Sequence, residues 1–242
     1  MATRGPLLAP GSVAMFGYGI LFSAIGLATL AFATLARGGA AWVLVWAGGN
    51  FLALGVAYAC RDSSVFGKRA DGSMRLTRVA PLLPFLVFTW VTWHLARLVS
   101  SEPPFHRLAT GIILARRLLA NEMPADVAII VDLTAEFREG RAVIGNREYL
   151  SLPILDAGTP RLDALKRLLE RLPPSKTALV HCAQGHGRTA LVVACLLLER
   201  GLATTSADAI ARVTTARPGA RMTRRQQAFV DEYARSRLSP ER

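Results

Sequence analysis

Residues 181–189 read His-Cys-Ala-Gln-Gly-His-Gly-Arg-Thr and bring a thiol, two glycines and an arginine into one short loop. Backbone N–H groups of such a loop can converge on phosphate oxygens, and the N-terminus of a following helix adds positive potential. Gly185 and Gly187 allow the backbone angles that turn these N–H groups inward, and Arg188 can bind two phosphate oxygens at once. Because the same positive field favours the thiolate form of Cys182, the loop is predicted to bind a phosphate and to attack it through sulfur.

This string resembles the signature His-Cys-x-x-Gly-x-x-Arg-Ser/Thr of the cysteine-dependent protein tyrosine and dual-specificity phosphatases. The resemblance covers about residues 105–235 and implies that Cys182 is the nucleophile that forms a phosphocysteine intermediate. It implies that Thr189 hydrogen-bonds the leaving thiolate in the second step, and that His181 orients the loop and helps to keep the thiol ionised. The implied phosphate loop consists of Ala183, Gln184, Gly185, His186, Gly187 and Arg188.

The resemblance also requires a general acid, an aspartate on a loop that precedes the strand of the nucleophile. Asp156 fits, because it follows a predicted strand and precedes a predicted helix. Asp132, at the end of another strand, is the alternative, although its place resembles a structural position of the family. Asp163 is interpreted as a solvated helix residue, and Gln226 as a packing or surface residue rather than one that positions water.

Other roles for the cysteines and histidines are less well supported. His181, His186 and Cys182 lack the further ligands that a zinc site needs, so neither a metal nor a cofactor is predicted. Cys195 is expected to be a buried thiol, with a role as resolving partner of an oxidised Cys182 as the alternative. Cys60 is expected to be unmodified, with acylation as the alternative.

From residue 105 the sequence has the pattern of a soluble α/β domain. Buried or half-buried strands are predicted over residues 127–133, 141–144, 149–152 and 177–181, and helices over 161–172, 188–200, 206–215 and 223–237. The predicted fold class is therefore α/β. Together with the resemblance, it implies a phosphatase domain over residues 101–242, with a central mixed sheet flanked by helices.

Composition separates the two parts of the chain. Hydrophobic residues make up 52% and charged residues 19%, which excludes a disordered chain. Residues 1–100 hold eight Lys+Arg and two Asp+Glu, whereas residues 101–242 hold 21 and 15. The net charge of +12 suits a membrane surface or phosphorylated substrates, and no nucleic-acid motif is present, so a nucleic-acid partner is not predicted.

Residues 1–100 are predicted to form an α-helical transmembrane region. The uncharged segments 13–36 and 38–60 are each long enough to cross a hydrocarbon core of roughly 30 Å. Arg37 separates them, which favours a helical hairpin, and a cleaved signal peptide is the alternative for the first segment. Asn50 is expected to make a packing hydrogen bond, with a functional intramembrane role as the alternative.

The third apolar segment, residues 79–98, either spans the membrane or lies in its interface. Trp90 and Trp93 are expected to form an aromatic belt at headgroup level, and the five basic residues of the loop 61–78 are expected in the cytoplasm. If the segment lies flat, which the need for a reduced thiol favours, the catalytic domain stays in the cytoplasm. If it spans, that domain lies outside. The prediction is a multi-pass membrane protein with the lipid bilayer as a partner and a cytoplasmic catalytic domain.

These observations predict a membrane-anchored enzyme that hydrolyses phosphomonoesters. The expected substrate class is phosphotyrosine, phosphoserine or phosphothreonine in proteins. The alternatives are a phospholipid phosphatase, acting on a phosphatidylglycerophosphate or a phosphoinositide, and a catalytically silent phosphate-binding scaffold. His186 stands where lipid-directed members often have a basic residue, which weakens a highly anionic headgroup as the substrate. A sulfur-transferring or arsenate-reducing enzyme is disfavoured by His181 and Thr189 beside the loop.

Overall fold

The computed structural model describes residues 12–108 and 111–238, so residues 1–11, 109–110 and 239–242 of the two predicted regions lie outside the described residues. The described helices are α1 (Ser12–Ala33), α2 (Gly39–Cys60), α3 (Leu76–Val99), α4 (Arg141–Ile144), α5 (Leu162–Glu170), α6 (Arg188–Glu199), α7 (Ser206–Ala216) and α8 (Arg224–Leu238). The described strands are β1 (Phe105–Leu108), β2 (Ile112–Arg116), β3 (Ile129–Thr134), β4 (Glu148–Ile154) and β5 (Ala178–Cys182).

The strands form one mixed sheet in the order β1-β2-β5-β3-β4. Strands β1 and β2 pair antiparallel, and the other three neighbouring pairs of this order are parallel. Every residue of β3 and of β5 is buried, as expected for central parallel strands covered by helices on both faces. The predicted α/β class with a mixed sheet flanked by helices is confirmed, and Cys182 lies at the carboxyl end of the central strand.

Helix α6 begins directly after the loop that follows β5. Its residues are buried from Arg188 to Leu198, and they form a single apolar cluster with side chains of β2, β3 and β5. An apolar helix that is buried on all sides cannot shift without opening the core. The packing of α6 therefore fixes the position of its first residue relative to Cys182.

The prediction of a strand over residues 141–144 was wrong, because these residues form the single-turn helix α4. A run of four largely apolar residues does not distinguish a strand from a helical turn by periodicity. Gly145, which follows, has a φ of 55° and redirects the chain into β4. The short strands β1 and β2 were not predicted, and β2 contributes a second buried neighbour to β5.

Helices α1 and α2 form the predicted antiparallel hairpin, with glycines at their contact. A Cβ on Gly26 would lie 2.8 Å from the carbonyl oxygen of Gly48 and from the backbone nitrogen of Leu52. The backbones can approach this closely because no side chain lies between them. Among the described residues, α2 and α3 are long and apolar enough to cross a membrane, whereas the apolar stretch found in α1, Gly17–Ala33, is shorter.

Asn50 joins α2 to α3 through its side-chain amide. Its Oδ1 accepts from the backbone N–H of Phe85 at 3.1 Å, and its Nδ2 donates to the carbonyl oxygen of Pro81 at 3.0 Å. An uninterrupted α-helix pairs these two backbone groups with each other. The expected packing hydrogen bond is thus present, and it links α2 to the proline-containing part of α3.

Helix α3 packs against the domain that contains the sheet and the loop after β5, called here the phosphate-loop domain. This contact corrects the prediction that Trp93 lies at the level of the lipid headgroups. The indole of Trp93 is 2% exposed and donates to the backbone oxygen of Ala183 at 3.2 Å. Further along, both Nη atoms of Arg97 contact the Glu122 carboxylate at 2.9 Å. Of the two tryptophans predicted to form the aromatic belt, Trp90 is exposed and Trp93 is buried. The indole of Trp93 faces the loop because a buried donor needs a hydrogen-bond acceptor.

Candidate active site

The loop after β5 curls back toward the sulfur of Cys182. The backbone N–H of Gly185 lies 3.2 Å from Sγ. Gly185 has a φ of 75°, and a Cβ there would come within 2.5 Å of the carbonyl oxygen of Ala115 on β2. Only glycine fits this position without a shift of the backbone, so the loop conformation depends on it.

Arg188 is held by carboxylates and a carbonyl around its guanidinium. Its two Nη atoms contact the two oxygens of Glu136 at 2.9 and 2.8 Å, and Nη1 also donates to the oxygen of Ile154 at 3.0 Å. Asp156 Oδ1 lies 3.3 Å from Nη2. Burial acts against the charge of Arg188, but the carboxylates of Glu136 and Asp156 outweigh it and raise the pKa of the guanidinium.

The two aspartates considered as general acid lie in different environments. Asp156 is 58% exposed in its side chain and lines the same cavity as Cys182 and Arg188. Asp132 is fully buried, and its oxygens contact Lys68 Nζ at 2.5 Å and the hydroxyl of Tyr149 at 2.7 Å. Burial opposes ionisation of Asp132, but the Lys68 ammonium holds its pKa well below the usual value. Of these two aspartates, Asp156 lines the cavity and Asp132 does not.

The two residues that flank the loop are buried. His181 is 2% exposed, and its Nε2 lies 3.8 Å from Glu139 and 4.0 Å from Asp132. Thr189, in the first turn of α6, has a buried Oγ1 that contacts no hydrogen-bond partner among the described residues. A buried hydroxyl without a hydrogen-bond partner costs free energy. The Thr189 hydroxyl is therefore available to form a hydrogen bond when the site reacts.

One group of possible metal ligands was not anticipated. Asp132, Glu139 and His181 bring ligand atoms within 4.8 Å of one another. The ammonium of Lys68 already contacts Asp132 and Thr134, and Arg117 contacts Glu139 at 3.1 Å, so cations of this chain pair with both carboxylates of the cluster. The predicted alternative of His181, His186 and Cys182 as one ligand set is not brought together, because His186 Nε2 contacts Glu102 at 2.6 Å instead.

Residues from the C-terminal helices support the loop from its outer side. Arg217 donates to the backbone oxygen of Gln184 at 3.1 Å and contacts Glu102 at 3.0 Å. Gln226 is 1% exposed, and its Nε2 donates to the oxygen of Gly158, two residues after Asp156, at 3.0 Å. This contact ties α8 to the loop of Asp156, and Gln226 also lines the cavity that holds Cys182.

Cys182, Arg188 and Asp156 share a cavity of about 570 Å³, which is also lined by the loop residues Ala183, Gln184, His186 and Gly187. The sequence reasoning missed Glu136, which lies two residues beyond the end of β3. Carboxyl ends of neighbouring parallel strands meet at one edge of a sheet. A carboxylate just after β3 could therefore have been predicted to lie near the loop that follows β5. It also missed the aromatic side chains of α1, α2 and α3 that line the cavity.

Comparisons with known proteins agree on the phosphate-loop domain. Residues 115–234 match the family model described as Swiss Army Knife protein, DSP-PTPase phosphatase domain. The putative tyrosine phosphatase 067L of Invertebrate iridescent virus 3 is 37% identical over 84 residues, which cover 30% of this chain and 35% of that protein. The chain thus spans about a third of the length of this curated relative.

Similar solved structures each cover slightly more than half of the chain. Tk-PTP in the active form is 26% identical with a TM-score of 0.48, covering 56% of this chain and 98% of that chain. Human DUSP28 is 21% identical with a TM-score of 0.46, covering 57% and 97%. PTPMT1 in complex with PI(5)P is 18% identical with a TM-score of 0.49, covering 57% and 100%. On the family match, residues 115–234 form a phosphatase domain of the dual-specificity and protein tyrosine phosphatase type, a phosphoric monoester hydrolase domain.

Proposed function

We propose that this protein is a membrane-anchored phosphatase that hydrolyses phosphomonoesters through a phosphocysteine intermediate. The observation that carries the proposal is the shared cavity, which brings the thiol of Cys182, the guanidinium of Arg188 and the carboxyl group of Asp156 together at the end of β5. A thiol, a fixed cation and an exposed carboxyl group are the nucleophile, the phosphate-binding group and the proton donor that this reaction needs.

In the first step, the phosphate oxygens bind the backbone N–H groups of residues 183–188 and the guanidinium of Arg188. The thiolate of Cys182 attacks phosphorus, so the S–P bond forms while the bond to the leaving oxygen breaks. Asp156 gives its proton to that oxygen. The carboxylate of Glu136 fixes the plane of the Arg188 guanidinium, which reduces the reorganisation needed when phosphate binds.

In the second step, Asp156 accepts a proton from water, and the water oxygen attacks the phosphocysteine. The P–S bond breaks, inorganic phosphate forms and Cys182 leaves as a thiolate. The Thr189 hydroxyl donates a hydrogen bond to this thiolate, and its lack of a partner among the described residues leaves it available. His181, the residue of β5 before Cys182, takes a positioning role next to Asp132 and Glu139.

Replacement of the nucleophile tests this mechanism directly. We expect Cys182→Ser to abolish turnover of an aryl phosphate, since an alcohol is a far weaker nucleophile than a thiolate, and to retain binding of vanadate, since the backbone and Arg188 are unchanged. Steady-state assays and vanadate titration of the purified variant measure both. Full activity of the variant would exclude the covalent mechanism.

The N-terminal helices support the membrane part of the proposal. Two described helices are long and apolar enough to cross a bilayer, and many of their large apolar side chains are exposed. The expectation of protein phosphoesters as substrates stays a prediction. The phospholipid alternative is favoured by one observation, the aromatic side chains that these helices contribute to the cavity.

A further inference from the structure

The cavity that holds Cys182 has two chemically different sides. One side is polar and comes from the phosphate loop, Arg188, Glu136 and Asp156. The other side comes from the N-terminal helices, and its rings Tyr18, Phe22, Tyr58, Phe85 and Phe88 are called here the aromatic wall. Thr89 and Thr92 of α3 also line the cavity, and their hydroxyls donate to backbone oxygens of the same helix. A phosphate bound on the loop therefore has apolar ring surface on its other side.

The aromatic wall is a continuous packed structure. Phe22 contacts Tyr58 and Phe85 edge-on, with ring centroids 5.2 and 5.6 Å apart, and Phe85 contacts Phe88 at 6.4 Å. Tyr58 and Phe85 of the wall are buried and share an apolar cluster with Leu155, the residue before Asp156. The wall is thus fixed relative to the carboxyl group of Asp156, and it is part of the cavity rather than a loose cover.

The wall continues onto apolar surface outside the cavity. Phe88 lines the cavity and is 52% exposed, so the wall reaches the outer surface of α3, and many large apolar side chains elsewhere on α1, α2 and α3 are exposed as well. Exposed apolar surface of this extent on long apolar helices marks contact with lipid. An apolar chain can therefore run from the phosphate loop along the wall to the lipid-facing surface.

A peptide would be accommodated poorly on this side of the cavity. Each residue of a bound peptide carries an N–H and a C=O group that must find partners when removed from water. The wall offers mainly ring carbons, whereas an alkyl chain needs no hydrogen bonds and gains free energy from burial there.

We propose that the substrate is a membrane amphiphile, a phosphomonoester on a lipid whose apolar chain lies against the aromatic wall. This proposal rests on the proposed phosphatase function and names its substrate class. The phosphate binds the loop and Arg188, and the chain extends toward the bilayer past Phe88. Hydrolysis then releases inorganic phosphate and leaves the dephosphorylated lipid in the membrane.

The test compares substrates that share a phosphate headgroup but differ in chain length. The purified full chain, in mixed micelles, is assayed with dioleoyl phosphatidate, dibutyryl phosphatidate, a tyrosine phosphopeptide and p-nitrophenyl phosphate. We expect kcat/KM for the dioleoyl lipid to exceed that for the dibutyryl lipid by about tenfold or more, since burial of only two methylene groups supplies roughly this factor. The phosphopeptide is expected to be the poorer substrate.

Phe88→Ser separates the wall from general effects of the micelle. We expect this variant to lose most of the dioleoyl preference, measured as the ratio of kcat/KM for the dioleoyl and dibutyryl lipids. Val91→Ser, an exposed position on the same helix that does not line the cavity, is the matched control and is expected to keep the preference. Activity on the aryl phosphate shows in each case that the variant is folded.

The outcomes distinguish failure of the lipid assignment from failure of the phosphatase function. If p-nitrophenyl phosphate is hydrolysed but the two lipids are turned over equally, or the phosphopeptide is preferred, the lipid assignment is overturned and the phosphatase function stands. An unchanged preference in Phe88→Ser also overturns the role of the wall. If the wild-type protein hydrolyses none of the substrates, the phosphatase function itself fails, and this proposal fails with it.

Discussion

At the scale of single residues, the arrangement around Arg188 determines how the site can work. A buried guanidinium is stable only when its charge is matched, and Glu136 supplies this match through two short contacts. Asp156 lies at the edge of the same guanidinium, 3.3 Å from Nη2, while its side chain remains mostly exposed. One carboxylate can therefore hold the arginine while the other is free to exchange a proton.

The role of Asp156 is tested by the dependence on the leaving group. We expect Asp156→Ala to slow hydrolysis of alkyl phosphates about 10²- to 10³-fold, because their leaving oxygen needs a proton. Turnover of p-nitrophenyl phosphate, whose leaving group is stable as an anion, is expected to fall much less. Steady-state kinetics on both substrates measure the difference.

Asp163→Ala is the control for this comparison, since that side chain lies on α5 and forms surface ion pairs with Arg161 and Arg167. It is expected to leave both rates unchanged. Equal slowing of both substrates in Asp156→Ala would assign proton transfer to another group.

At the scale of elements, the loop between α2 and α3 is coupled to the sheet through one lysine. Lys68 belongs to the loop 61–78, which the positive-inside rule assigns to the cytoplasm, yet its side chain is 1% exposed. Its ammonium contacts Asp132 and both oxygen atoms of Thr134, beneath His181. The loop 61–78 therefore packs against the sheet through Lys68, in addition to carrying the basic residues on which the predicted topology depends.

Loss of this ammonium is expected to destabilise the domain. Lys68→Met leaves a buried carboxylate without its counter-ion, which costs about 3–5 kcal/mol. Denaturant unfolding of the protein in detergent at neutral pH measures the difference. The double variant Lys68→Met with Asp132→Asn is expected to recover part of the loss, because no charge then remains unpaired.

The same variant has a predictable dependence on pH. In the wild type, the lowered pKa of Asp132 contributes stability above the unfolded pKa of about 4, and this stability is lost as the pH falls. Without Lys68, burial raises the pKa of Asp132, so acidification neutralises the unpaired charge. The difference in free energy of unfolding between wild type and Lys68→Met should therefore shrink as the pH falls. A constant difference would contradict the charge-based explanation.

The α1–α2 hairpin depends on close approach of the two backbones. Gly26→Ala places a Cβ 2.8 Å from backbone atoms of α2, and we expect it to destabilise the hairpin by about 1–3 kcal/mol. Gly49→Ala is the matched control, because nothing lies within 4 Å of a Cβ there, and it is expected to be neutral or slightly stabilising. Unfolding in detergent, followed by circular dichroism, compares the two variants. Equal effects would show that the glycines do not act through helix contact.

At the scale of the whole molecule, the contacts of α3 bear on topology. Leu83 and Trp90 line a groove together with Arg117 and Arg138 of the domain, and Arg97 pairs with Glu122. A helix that contacts a water-soluble domain along this much of its length cannot cross a bilayer without losing those contacts. We therefore propose that α3 lies at the membrane surface and that the α1–α2 hairpin anchors the protein.

This arrangement is expected to place the catalytic domain in the cytoplasm. A fluorescent-protein fusion at the C-terminus should fluoresce, and a fusion to an alkaline phosphatase that is active only outside should be inactive. The reverse result would mean that α3 spans the membrane. Protease protection in oriented vesicles provides an independent measurement of the same property.

The sequence by itself was sufficient for the features that depend on neighbours along the chain. The phosphate loop, the strand before it and the helix after it all lie within residues 177–200, so residue type and spacing carry them. The long uncharged segments were equally readable, because the length needed to cross a bilayer is fixed by the rise of a helix. Short elements such as β1, β2 and α4 were not, since a run of four or five residues has no clear period.

Only the tertiary structure decided which distant groups meet. The pairing of Arg188 with Glu136, the burial of Lys68 on Asp132 and the place of Trp93 beneath the loop join positions that are 52 or more residues apart. No local pattern specifies such pairs, because they result from how strands order themselves in the sheet and how the helices dock on it. The same docking places aromatic side chains of apolar helices opposite the phosphate loop, and the proposal of a lipid substrate depends on that contact.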